Sequence, residues 1–241
     1  MTRYRLVLVV ALASAAWACD AAPGRPPADS AVTAPDDVVD FAVLYAANCA
    51  GCHGANGSGG AEIGLADPTY LAIADDAAIR RVTARGVPGT AMPAFARSAG
   101  GLLTDEQIDA IVGGIRTRWA KPVSLAVTDV PPHTAPAPGN PARGTEVYAR
   151  YCSACHGVGG RGGERAGSIV DGAYLALVSD QGLRTTVIVG RPVLGAPDWR
   201  GNVPGEPLSS EDVSDVVAWL AAQRPPVSRT ASASFVVGGL Q

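Results

Sequence analysis

The chain has 241 residues, with 19 basic and 22 acidic side chains, a formal charge of −3 and 47% hydrophobic residues. That acidic balance argues against nucleic-acid binding, which calls for a basic face to meet phosphates. Four of the five cysteines lie in two short motifs and the fifth, Cys19, stands near the N-terminus, so none is left for a structural disulfide.

The first residues read as an export signal. Arg3 and Arg5 precede the apolar run Leu6–Ala16, and Ala16-Trp17-Ala18 satisfies the small-residue rule for cleavage. The run is too short to span a bilayer, and no later stretch approaches the roughly 18 apolar residues that a spanning helix needs. Cleavage after residue 18 makes Cys19 the new N-terminus, the place where a bacterial lipoprotein carries its lipid. Plain secretion is the alternative. Either route delivers the chain to the periplasmic or extracytoplasmic side of the cytoplasmic membrane, and lipid on Cys19 would anchor it there. Loss of Arg3 and Arg5 leaves 17 basic against 22 acidic side chains, a charge near −5. Residues 19–37, rich in Pro and Ala without apolar periodicity, are expected to be a spacer with a reach of about 50 Å if extended.

A first domain is expected over residues 38–120. Cys49-Ala-Gly-Cys52-His53 is the attachment sequence of a c-type haem. Two thiols three residues apart add to the two vinyl groups of one porphyrin, and the adjoining imidazole reaches its iron. Gly54, Gly57, Gly59 and Gly60 follow, read as points where the backbone passes close to the porphyrin. Thr104-x-x-Gln107 is a capping box, and Ile108, Ile111, Val112, Ile115 and Trp119 recur at helical spacing behind it, predicting a helix packed on a core.

Lys121–Pro141 contains six prolines and reads as a linker between domains. It holds the only lysine, Lys121, and the only histidine outside the motifs, His133; a linker histidine is expected to sit in water.

The second domain, expected over 142–225 before a tail at 226–241, repeats the first. Tyr148 and Cys152-Ser-Ala-Cys155-His156 answer Tyr45 and Cys49–His53 at an offset of 103. Asp171–Arg184 answers Asp67–Arg80 at 104, and Ser209-x-x-Asp212 with Val213, Val216, Val217 and Leu220 answers the capped helix at 105. Gly157–Gly162 fits G-x-G-x-x-G but follows a haem motif rather than a strand, so it does not signal a dinucleotide. Zinc would require four ligands within one fold unit, and a thioredoxin-like pair would need neither a following His, twice, nor the absence of a βαβ pattern. Two covalently bound haem c groups are expected. Arg80, Arg85, Arg184 and Arg191 are read either as partners of haem propionates or as ordinary surface arginines.

Residues 38–225 resemble class I cytochrome c, on the two C-x-x-C-H motifs, the helix that precedes each and the amphipathic helix that ends each half. The resemblance implies a mainly α fold of two tandem small helical bundles, each wrapped around one haem. It assigns Cys49, Cys52, Cys152 and Cys155 to attachment and His53 and His156 to the iron. It also implies a methionine as second axial ligand, in a loop followed by Pro. Met92-Pro93-Ala94-Phe95 fits, 39 residues after His53, and Met1 is the only other methionine. The second half departs from the family here: an offset of 104 sets Ala196-Pro197-Asp198-Trp199 in that place. The second iron is then open or water-ligated, bound by another side chain such as His133 or Lys121, or shielded and quiet.

What the resemblance implies is an exported dihaem carrier of single electrons between respiratory or photosynthetic complexes, more an electron-transfer protein than a stand-alone enzyme. Its expected redox partners are a quinol-oxidising complex, a terminal oxidase or a reaction centre. The rival is a dihaem peroxidase-like enzyme, with Asp198 and Arg191 as side chains near the open iron. A third reading makes the second domain a docking subunit of a larger complex.

Overall fold

The computed structural model describes residues 33–121 and 130–226. The expected export signal, Cys19, most of the spacer, part of the linker and nearly all of the tail lie outside the described residues. Pro35–Asp37, at the end of the expected spacer, is a short 3-10 helix. Both repeats belong to one compact unit that starts at Val38.

The first repeat runs α1 (Phe41–Asn48), α2 (Ala50–His53), α3 (Pro68–Ile73), α4 (Asp76–Arg85) and α5 (Asp105–Trp119). The second runs α6 (Pro141–Tyr151), α7 (Ser153–His156), α8 (Gly172–Leu177), α9 (Asp180–Val189) and α10 (Ser210–Ala222). Among the described residues there are no strands beyond two isolated bridges, so the fold is mainly α, as the sequence implies. The starts are capped by side chains that accept a first-turn N–H: Asp40 for α1, Asp67 for α3, Asp75 for α4, and Asn140, Asp171 and Ser179 in the second repeat. Both expected capping boxes form, Thr104 with Gln107 and Ser209 with Asp212.

Each repeat closes by pressing its first helix on its last. In the first, Ile108, Ile111, Val112 and Ile115 of α5 are buried against Leu44 and Tyr45 of α1. In the second, Val213, Val216, Val217 and Leu220 of α10 meet Val147 and Tyr148 of α6. Glycine makes both crossings close. A Cβ on Gly114 would lie 2.1 Å from the Phe41 ring, and one on Gly144 would lie 2.1 Å from the Asp215 carbonyl. Aromatic rings fill the crossings, with Tyr45 and Phe41 edge-on to Trp119 and Tyr148 stacked on Trp219 at 4.4 Å.

Arginines tie the middle helices down in a way the sequence pattern left unread. Arg116 donates to the Leu71 and Ala74 carbonyls at the end of α3 and pairs with Asp76. Arg224 does the same for α8, through Leu175 O at 3.0 Å, Val178 O at 2.9 Å and Asp180. These are charge-assisted bonds to carbonyls that a helix end leaves unsatisfied.

The described part of the linker is anchored at Pro131–His133. Pro131 is fully buried, Pro132 O accepts from Arg184 Nε at 3.0 Å, and His133 O accepts from Gln181 Nε2 at 2.7 Å. Where the sequence predicts His133 in water, its ring is partly buried and edge-on to Tyr70 of the first repeat. The repeats also touch directly: Ile73 of α3 packs against the second core.

Candidate functional site

Each C-x-x-C-H begins where the first helix of its repeat breaks. Cys49 N–H still bonds Tyr45 O at 2.9 Å, after which the chain turns into the four-residue α2; Cys152 repeats this with Tyr148 O at 2.9 Å. The phenols brace the turn from below, Tyr45 Oη donating to Gly54 O at 2.8 Å and Tyr148 Oη to Gly157 O at 2.5 Å. Burial pushes the Tyr45 phenol up to about 12, so it remains a donor at any ordinary pH.

The imidazoles are oriented by backbone. His53 Nδ1 lies 2.8 Å from Ile63 O, and His156 Nδ1 lies 3.0 Å from Gly167 O. A carbonyl can only accept, so Nδ1 carries the proton and Nε2 keeps its lone pair in both rings. That is how proteins fix a metal-ligating histidine.

None of the four motif cysteines is in a disulfide. Burial pushes Cys49 up to about 11, with Cys52 adding to the shift, and Cys152 up to about 11, with Cys155 adding. A redox-active C-x-x-C instead lowers the pKa of its nucleophile. Among the described residues no group of three or more His, Cys, Asp and Glu could hold a metal ion.

A cavity adjoins each motif. The first, of ≈ 300 Å³, is lined by Cys49, Cys52, His53 and Met92, with Ile79, Val82 and Phe95 giving it an apolar wall. It is lined from the other repeat too, by Leu177, Val178, Gly182 and Thr185 and by His133 of the linker. His53 and Met92, far apart in sequence, thus face one apolar cavity beside two thiols, which fits a covalently held porphyrin with His and Met on its iron. The second cavity, ≈ 880 Å³, is lined by Cys152, Cys155, His156 and Ala196. Its lining includes Tyr174, Arg165, Arg191 and Asn202 but no methionine, lysine or second histidine.

The expected equivalence of Met92 and Ala196 holds in the backbone. Val87 N–H donates to Met92 O at 3.0 Å, and Arg191 N–H donates to Ala196 O at 2.9 Å, each pair 104 residues from the other. Gly86 and Gly190 open both loops with φ of 63° and 71°. A Cβ on Gly86 would meet Pro93 C at 2.5 Å, and one on Gly190 would meet Pro197 O at 2.3 Å. His133 lines the first cavity, so it does not stand in for the missing methionine of the second.

Other expected site residues are committed elsewhere. Arg80 pairs with Asp105 and Asp109; Arg184, buried, donates to Ser210 Oγ and Ser214 Oγ at 3.1 Å each. Asp198 pairs with Arg200, and Arg191 donates to Gly60 O and Ala61 O. Two of the glycines after His53 are also needed for close packing within the protein: a Cβ on Gly60 would lie 2.2 Å from Cys52 O, and one on Gly57 would lie 2.8 Å from the Trp119 ring.

The model of the family described as cytochrome C oxidase, cbb3-type, subunit III matches residues 36–113 and again 139–220. The chain is similar to the cbb3-type cytochrome c oxidase subunit CcoP of Azospirillum sp. (strain B510), 33% identical over 152 residues, covering 56% of this chain and 46% of that one. It is also similar to the cytochrome bc1 complex cytochrome c subunits of Mycobacterium bovis and Mycobacterium tuberculosis, 25% identical over 181 residues, covering 73% of this chain and 60% of theirs. The chain spans about half the length of these curated relatives, 46% to 60%. No helix among the described residues is long and apolar enough to cross a membrane.

Proposed function

The chain belongs to the cytochrome C oxidase, cbb3-type, subunit III family, a cytochrome c that binds haem c covalently and transfers electrons, and from that premise we propose that it is an exported dihaem carrier of single electrons between membrane respiratory or photosynthetic complexes. The names of its relatives, subunits of a cbb3-type oxidase and of a bc1 complex, support a quinol-oxidising complex or terminal oxidase as partner; a reaction centre is the further candidate. The observation that carries the reading is the unequal furnishing of two otherwise repeated cavities. Cys49 and Cys52 would hold one haem and Cys152 and Cys155 the other, with His53 and His156 each available to the iron. Bound there, haem c supplies a one-electron iron couple, at higher potential where His and Met both ligate.

The chain's own groups explain why the first site relays. The Ile63 carbonyl orients His53, Met92 offers its thioether from the loop after α4, and α9 of the other repeat supplies part of the wall. With both His53 and Met92 available to the iron, electron exchange is favoured over ligand chemistry. His156 has no such counterpart, since Ala196 has no lone pair to offer. That favours an iron open to a small ligand at the second site. The peroxidase-like reading loses its acid–base pair, because Asp198 is held by Arg200 and Arg191 by two carbonyls. The carrier reading therefore stands ahead of it. A lipid on Cys19 would hold the protein at the membrane surface.

Electron paramagnetic resonance of the oxidised full chain tests this. One low-spin and one high-spin signal of equal weight are expected, and Met92→Ala should make the low-spin signal high-spin. Two low-spin signals in the unaltered protein would refute the assignment at Ala196. A Met92→Ala spectrum unchanged from the parent would refute it at Met92.

A further inference from the structure

The loop that carries Ala196 is bonded to the other repeat. Arg191 and Ala196 exchange two backbone hydrogen bonds, Arg191 N–H to Ala196 O at 2.9 Å and Ala196 N–H to Arg191 O at 3.1 Å. From this ladder the Arg191 side chain crosses to the first repeat, where Nη1 donates to Ala61 O and Nη2 to Gly60 O, both at 2.7 Å. The segment it grips is tied to the first motif on either side. Glu62 N–H donates to Cys52 O at 3.0 Å, and Ile63 O is the acceptor that orients His53. A second bond joins the repeats across the first cavity, from Ala91 N–H, next to Met92, to Leu177 O at 3.4 Å.

The repeat itself marks Arg191 as specialised. Its counterpart is Val87, which makes the same backbone bond to Met92 O but has no side-chain donor. Two adjacent carbonyls suit the fixed fork of a guanidinium and do not suit a single ammonium. Tyr174, lining the second cavity, is within electrostatic reach of both Glu62, which lines the first, and Arg191, which lines the second. Arg191 is thus a direct side-chain tie between the two cavity walls.

We infer that Arg191 is the positioning residue that fixes the two haem sites relative to one another, so that electron exchange between them occurs within one chain at a constant separation. The inference rests on the dihaem reading above. The step is a transfer of one electron: one iron is oxidised as the other is reduced, and no bond or proton changes hands. Arg191 touches neither electron donor nor acceptor in this role; it acts through the Gly60–Ile63 segment and the Ala196 loop.

The test compares the full haem-loaded chain with Arg191→Ala and Arg191→Lys. Haem content by pyridine haemochrome comes first, then amide hydrogen exchange at Glu62 and Ala91, then re-equilibration between the haems after pulsed one-electron reduction. Arg191→Ala should speed exchange at both amides by about tenfold, as expected when a local opening equilibrium loses two charge-assisted bonds at a partly exposed site. It should slow re-equilibration at least as much, with haem content unchanged, and Arg191→Lys should fall between the two. Unaltered amide exchange in Arg191→Ala overturns the clamp, and unaltered re-equilibration overturns its part in electron exchange. Fewer than two haems in the parent chain refutes the dihaem reading and the electron-exchange role together, while amide exchange still decides whether Arg191 holds the repeats.

Discussion

Ala196→Met should convert the second haem into a copy of the first. The structure supplies the reason: the backbone of the two loops is the same. Val87–Met92 and Arg191–Ala196 make matching hydrogen bonds of 3.0 and 2.9 Å, and Gly86 and Gly190 open both loops at positive φ. A side chain at 196 therefore leaves the backbone at the position equivalent to Met92, on the lining of the cavity that His156 also lines. Replacing water or nothing by a thioether should raise the second potential by about 0.2 V, within the ~0.8 V that axial ligands control. At ~59 mV per tenfold for one electron, that moves the sharing of an electron between the haems by roughly three powers of ten, about 5 kcal/mol. Potentiometric titration followed optically measures the shift, and electron paramagnetic resonance should lose its high-spin signal. A folded variant with its second potential unmoved and its high-spin signal intact would refute the equivalence of positions 92 and 196.

Two further changes probe the packing around the sites. Gly113→Ala and Gly114→Ala sit side by side on α5, yet a Cβ on Gly113 meets nothing within 4 Å while one on Gly114 would meet the Phe41 ring at 2.1 Å. The first should stabilise by about 0.5–1 kcal/mol, the second should lose about 1–3 kcal/mol to overpacking, and the melting temperatures should separate by several degrees in that order; equal values would mean that α1 does not press on α5. Burial holds His133 below its ordinary 6.5, Asp75 opposing and Arg81 and Arg184 assisting. The unfolded chain then takes up a proton that the folded one refuses, so stability should fall as pH drops below about 6.5. His133→Gln should flatten that slope in thermal melts between pH 7 and 5, and an unchanged slope would assign it to other groups.

Local chemistry was readable in the sequence wherever it is carried by neighbours along the chain. The two C-x-x-C-H motifs, the capping boxes at Thr104 and Ser209 and the apolar stripes of α5 and α10 depend on spacings of three or four residues, and each stands where the pattern put it. The backbone correspondence of Met92 and Ala196 was readable too, because the repeat preserves its register through the loop. What the pattern did not give depends on contacts between the halves. His133 was expected in water because a proline-rich segment offers few N–H donors; its carbonyls, however, remain free to accept, and Arg184 and Gln181 use them. Arg184 itself left a signal that went unused. Arg80 pairs with Asp105 and Asp109, and an offset of 105 carries those aspartates onto Ser210 and Ser214, the residues that Arg184 bonds. Serines in place of aspartates are compatible with burial of that helix face, since a neutral hydroxyl costs far less to desolvate than a carboxylate.

One loop carries two differences between the repeats that are complementary. In the first repeat the loop after α4 holds Met92, and a thioether on iron would tie that loop to the haem and through it to α2. In the second, Ala196 gives up that tie, and the loop after α9 is held by its backbone ladder, the buried ring of Trp199, the Asp198–Arg200 pair and the bond from Asn202 to Asp198 O. Arg191 supplies a different anchor, two short bonds to carbonyls of the opposite repeat, from a position where Val87 has none to offer. The exchange removes an iron ligand and adds a bond between halves. Both effects push in the same functional direction. On the reading proposed above, the second iron would have an accessible face and a lower potential, and Arg191, bonded to Ala196 across the loop, would hold its separation from the first. A loop freed from its iron but left unanchored would let that separation fluctuate, and an anchored loop that kept its methionine would give two equivalent relays. The combination found here suits a chain in which one site exchanges electrons and the other differs from it by design of the same six residues.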